Sequence, residues 1–143
     1  MAKGQSYAAQ VEAWVRETDQ RLEAVWKESA QRVASLANNG VPIDLGYARA
    51  SIRASTEQMP KIDRAADNDA RASVVPDFGN ITLVIVNARL GQTIYVGWTA
   101  AYILPLEYGH SQQAPNGFLR IAAAQWPRIV EQVSAELKAR ASA

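Results

Sequence analysis

The 143-residue chain contains no cysteine. Disulfides and thiolate metal sites are therefore excluded as sources of stability or chemistry. It carries one histidine, His110, so no imidazole pair can hold a metal. No uninterrupted apolar run reaches the ~20 residues that a membrane helix needs. The opening residues, Met1-Ala2-Lys3-Gly4-Gln5, lack the apolar stretch of a secretory signal. These absences lead to the expectation of a soluble intracellular protein. The formal net charge is only +1, which argues against a dedicated nucleic-acid binder with its strongly basic face. Nucleophile elbows, phosphate-cradling glycine loops and paired-cysteine motifs are missing too. What remains is an ordinary globular balance, 48% hydrophobic and 20% charged, in a length that suits one domain over residues 1–143.

The clearest periodic signal spans residues 5–38. Tyr7, Val11, Trp14, Val15, Thr18, Leu22, Val25, Trp26, Ser29, Val33 and Leu36 recur at three- and four-residue steps, one stripe of an α-helix. Ser6 is placed to cap its start. Asn38-Asn39-Gly40 followed by Pro42 is a stop signal, with a left-handed residue expected there. Such a helix is about 45 Å long at 1.5 Å per residue, more than a domain of this size needs. Its N-terminal turns are expected to overhang and meet another subunit. Trp26 is read as core and Trp14 as open.

Farther on, Asp44 and Arg49 read as a cap and a surface ion pair, and residues 51–56 as a first strand. Residues 57–79 break pattern, with Pro60, Pro76 and Gly79 among charges that include Lys61, Asp63, Arg64, Asp67, Asp69, Arg71 and Asp77. So long a polar excursion reads as a projecting loop or arm, or as a surface loop around a short strand at 71–75. The β-branched run Ile81-Thr82-Leu83-Val84-Ile85-Val86 and the alternating residues 93–98 predict an antiparallel hairpin turning at Gly91. A C-terminal helix is expected over 117–140, capped by Asn116 and kinked or restarted at Pro127. The fold class is therefore α+β: a long N-terminal helix, a three- to four-stranded antiparallel sheet, and a kinked C-terminal helix packed on the sheet.

Residues 92–126 hold the densest information. A strand ends in the small corner Thr99-Ala100-Ala101. The segment Tyr102 to Leu106 closes on Glu107-Tyr108-Gly109-His110, and a polar loop then delivers Phe118-Leu119-Arg120-Ile121-Ala122. Gly109 is expected to take a positive φ, so that a valine there would disrupt folding. Glu107 and His110 could form a proton relay or half a metal site, although a pair three residues apart is more often a surface pair. Ser111 beside His110 makes no triad, because adjacency in sequence does not supply its geometry. The aromatic residues Tyr95, Trp98, Tyr102, Tyr108, Phe118 and Trp126 cluster in the same stretch. Phe118 and Tyr102 read as core, and the others suit an interface.

The order Ala101-Tyr102, Glu107-Tyr108-Gly109-His110, Pro115, Phe118-Leu119-Arg120-Ile121-Ala122 resembles the core of a family of tailed-phage neck or tail-completion proteins, "Y-A-x-x-x-E-x-G-T/H … P-x-x-F-L-R-x-A". The family's upstream block, roughly "D-T-G-x-L-R-x-S-I", is matched by Ile43 to Ile52, with Leu45 in place of the usual Thr and Ala48 near the usual Leu. The likeness covers about residues 43–130. It implies a non-enzymatic virion protein of the neck, made in the host cytoplasm, with no cofactor and no metal. Copies would form a homo-oligomeric ring, six-fold by expectation, that completes the tail tube and joins it to the head connector. Its partners would be itself, the tail-tube protein and the head-completion proteins, with transient non-specific contact to DNA in the lumen and no membrane. Candidate interface residues are Trp14, Trp98, Tyr102, Glu107, Tyr108, His110 and Trp126. A head-closure ring of the same neck is a neighbouring alternative. A small hydrolytic or ligand-binding domain using Glu107, Tyr108 and His110 is one of another class, and a toxin-like or nucleic-acid-binding module is a third.

Overall fold

The structure, a computed structural model, describes residues 6–41, 50–62, 78–100, 103, 107–108 and 117–142. Within them the chain is α+β, in the order α1 (Tyr7–Asn39), β1 (Ile52–Ser55), α2 (Gly79–Asn87), β2 (Tyr95–Trp98), α3 (Leu119–Ala124) and α4 (Trp126–Ser142). The predicted caps Asp44 and Asn116, the surface ion-pair residue Arg49, the strand at 71–75, and Gly109 lie outside the described residues.

Helix α1 starts where its cap predicts, with the Ser6 hydroxyl accepting from the Ala9 amide at 3.1 Å. Its end differs from expectation. Gly40 sits at φ −83°, in the right-handed region. The glycine gives room for a close approach: a side chain there would begin 3.0 Å from Cβ of Phe118. The buried face differs too. Ser29, Ala30, Ala34, Ala37 and Asn38 are buried, whereas Leu22 and Leu36 of the expected stripe are exposed and Trp26 is only half-buried. Small side chains decide this, because they let neighbouring elements approach the helix axis closely. The larger apolar residues are left at the rim or beyond it.

The sheet has two described strands, not the three or four expected. β1 pairs antiparallel with β2 in the register Ile52 opposite Trp98 and Ser55 opposite Tyr95. Its end is tied down by Ser51, whose carbonyl accepts from the Thr99 amide at 3.1 Å and whose hydroxyl accepts from the Ala100 amide at 3.2 Å. The expected partner strand at 81–86 is helix α2 instead. A strand would place Ile81, Leu83 and Ile85 on one face, yet Leu83 is 62% exposed while Ile81, Ile85 and Ala88 are buried at helical spacing. Burying one helical stripe against the core outweighs the β-preference of the branched residues. Two side-chain contacts hold the helix in place. The Asn80 side-chain oxygen accepts from the Ala54 amide of β1 at 3.0 Å, and Lys27 of α1 donates to the Val86 carbonyl at 2.8 Å, at the negative end of α2. Gly91 does take a positive φ, 98°, in the turn before β2.

The C-terminal helix is broken as Pro127 predicts. α3 ends at Ala124, and Pro127 falls in the first turn of α4, where a missing N–H costs nothing. Its main support is α1 rather than the sheet. Contacts run from Phe118 beside Gly40 back to Glu136 with Arg32, so α3 and α4 lie antiparallel to the second half of α1. Ile129 and Val133 are buried along it. The tie to the sheet is Phe118, whose ring meets Trp98 edge-on at 5.1 Å between centroids. The Trp98 indole in turn donates to the Asn38 side-chain oxygen at 3.0 Å.

Two predictions arise from α1. The Ser29 hydroxyl is fully buried and, among the described residues, has no hydrogen-bond partner. Ser29→Ala should therefore raise unfolding stability by about 1 kcal/mol in a denaturant titration, since an unsatisfied polar group is costly to bury. At the α1–α4 seam, the Arg32 guanidinium forks onto Glu136 and holds that carboxyl below its usual value. A depressed carboxyl contributes stability above its unfolded value near 4.5 and loses it as pH falls through the folded value. The Tm difference between the wild type and Glu136→Gln should thus be present at neutral pH and shrink on acidification below about pH 4.5. Added salt should shrink it as well, because the pair is exposed.

Candidate functional site

The motif residues that lie within the described chain converge on one carboxylate. Glu107 is 8% exposed. Its Oε1 accepts from the amides of Phe118 and Leu119 at 2.9 and 3.2 Å, and its Oε2 accepts from the Arg120 amide at 3.0 Å. These are orphan donors at the start of α3, where no side chain of the capping position, Phe118, serves them. A carboxylate there also complements the positive end of the helix. Arg120 returns the contact by donating from its guanidinium to the Glu107 carbonyl at 3.0 Å. The same guanidinium lies 5.2 Å from the ring centre of Tyr108.

Glycine at 117 makes this arrangement possible. Its φ is +84°, and a Cβ would collide with both the carboxylate and the carbonyl oxygen of Glu107. Sequence reasoning placed positive φ at Gly109 and passed over Gly117. The available signal was its position just before Phe118-Leu119-Arg120, where the chain turns into a helix. Arg120 and Asn38 were likewise missed as contact-forming residues. Arg120 lay within the quoted motif. Asn38 was read only as part of a stop signal.

The remaining candidates divide. Trp98, grouped with the interface aromatics, is 6% exposed and belongs to the core with Phe118. Burial follows from β2 turning it inward opposite Ile52, where its indole nitrogen finds Asn38. Tyr108 and Trp14 are each 66% exposed, and Trp126 is partly exposed at the start of α4. Trp14 stands far from the Glu107 knot, on the N-terminal half of α1. Its neighbours on the same stripe, Tyr7, Val11, Val15 and Leu22, are also exposed. Lys61 is exposed on the segment after β1, while Asp63, Arg64, Asp67, Asp69, Arg71, Tyr102 and His110 lie outside the described residues. The expected loop over 57–79 ends earlier than predicted, since Gly79 already belongs to α2.

Chemically, both carboxylate oxygens of Glu107 are committed to backbone amides, so this group acts as a cap. Among the described residues no cluster of three or more His, Cys, Asp or Glu could hold a metal ion, and no helix is long and apolar enough to cross a membrane. Compared with known proteins, no protein family, no curated protein and no solved structure was found to match the chain.

Proposed function

We propose that the protein is a structural component of a tailed-phage neck, forming a homo-oligomeric ring that completes the tail tube and joins it to the head connector. The observation that carries this reading is the N-terminal half of α1. It projects an apolar stripe with Tyr7 82%, Trp14 66% and Leu22 54% exposed, the kind of contiguous apolar surface that often serves as a binding face. The quoted motif supports it further. Glu107, Phe118, Leu119 and Arg120, which carry the resemblance, meet in one capped turn and hold the C-terminal helices against α1 and the sheet. A hydrolytic role for Glu107 is disfavoured because its oxygens are already engaged. In the ring reading, the lumen passes DNA without recognising its sequence.

The test is native mass measurement and electron microscopy of the purified protein, alone and mixed with the tail-tube protein of its own phage. A ring of about six copies, or one that forms on the tube end, is expected. A monomer in both conditions, or a turnover assay lost in His110→Ala, overturns the reading.

A further inference from the structure

A thioether lies on the outer face of the sheet. Along β1, Ile52 and Ala54 are buried and Arg53 is exposed, so the Arg53–Gly97 pair of the ladder faces away from the core. The chain leaves β1 through a turn in which the Ser55 hydroxyl accepts from the Glu57 and Gln58 amides at 3.0 and 3.4 Å. It then passes over β2. Met59 Sδ lies 3.2 Å from the point where a Cβ on Gly97 would stand, and Cδ of Pro60 lies 3.6 Å from it. The missing side chain of Gly97 is thus the slot that the thioether fills. Met59 is nonetheless 54% exposed.

We infer that Met59 is an oxidation site, and that conversion of its thioether to the sulfoxide frees residues 56–62 from the sheet. This stands independently of the ring reading. The chain has no cysteine, so an oxidant of the peroxide class meets no thiol, and the sulfurs open to it are those of Met1 and Met59. In the step, a sulfur lone pair attacks one peroxide oxygen, an S–O bond forms and the O–O bond breaks. The departing hydroxide takes the proton of the transferred hydroxyl and leaves as water. The sulfur gives up an electron pair, which the peroxide gains. A flexible apolar side chain becomes a polar, chiral one, with an added oxygen on the atom that rests against Gly97. Along 57–62 every residue but Pro60 is exposed, so Met59 and Pro60 are where this segment rests on the fold. Loss of the Met59 contact is therefore enough to lift it, because a segment with little buried surface opens at small cost.

The test is hydrogen peroxide added to the whole protein, with the added oxygen located by peptide mass analysis and amide hydrogen exchange followed over 56–62. Met59 should oxidise within a few-fold of the rate of free methionine, and exchange over 56–62 should then rise roughly tenfold. Methionine sulfoxide reductase should reverse both changes. Met59→Leu keeps an apolar contact and retains Met1, so peroxide should leave its exchange unchanged. Gly97→Val fills the slot and should raise exchange over 56–62 without peroxide. A Met59 that stays unoxidised while Met1 reacts overturns the site. Full oxidation of Met59 with unchanged exchange overturns the release. So does a peroxide-driven rise that persists in Met59→Leu, or a Gly97→Val variant that exchanges like the wild type.

Discussion

Glu107→Ala should unfold about 3 kcal/mol more easily than the wild type, lowering Tm by roughly 10 °C. The cost has a definite origin. Three amides, those of Phe118, Leu119 and Arg120, lose the only acceptor shown for them, and the first is buried. Leaving buried donors unpaired costs ~1–3 kcal/mol each, and partial access to water at Leu119 and Arg120 brings the sum below the maximum. Glu107→Gln keeps one carbonyl oxygen and should recover about half of the loss. Differential scanning calorimetry with urea titration decides the matter. If Glu107→Ala melts within 2 °C of the wild type, with the margin taken as roughly half a kcal/mol, the carboxylate is not the cap. Because the Phe118 amide bonds to Glu107 and the Phe118 ring touches Trp98, the damage should reach the core as a change in tryptophan fluorescence.

Gly117→Ala should be at least as severe, costing about 3 kcal/mol or preventing folding. Two penalties add. An alanine resists a φ of +84°, worth roughly 1 kcal/mol, and its Cβ meets Glu107 oxygens that cannot withdraw while they cap α3. The double variant Gly117→Ala/Glu107→Ala separates the two. Removing the carboxylate relieves part of the collision, so the pair should cost clearly less than the sum of the singles. Strict additivity in denaturant titrations would show that no such contact exists. By contrast, Gly91 also has a positive φ but nothing near its missing side chain, so Gly91→Ala should show the backbone penalty alone.

Much of the secondary structure could be read from local pattern. Ser6 before a long amphipathic run marked the start of α1, and Pro127 marked the break between α3 and α4. The alternation ending at Trp98 marked β2. The segment 81–86 was misread because a short, continuous apolar run carries no period of its own. Whether it becomes strand or helix depends on which residues the rest of the fold can bury. The candidate site was legible in part. Glu107 and Phe118-Leu119-Arg120 stood out in the sequence, but ten residues separate Glu107 from Phe118, and nothing local says that one caps the other.

The amino-acid sequence by itself determined the long first helix, the strands at 52–55 and 95–98, the broken C-terminal helix and the lack of thiol chemistry. Each depends on neighbours within a few residues, or on composition alone. Only the tertiary structure decided that α1 buries its alanines and leaves Trp14 bare, that 79–87 is a helix, and that Trp98 belongs to the core. It alone turned Glu107 from a candidate acid into a helix cap. Those outcomes depend on contacts between distant segments, where burial and hydrogen-bond satisfaction outweigh the preferences of any single stretch.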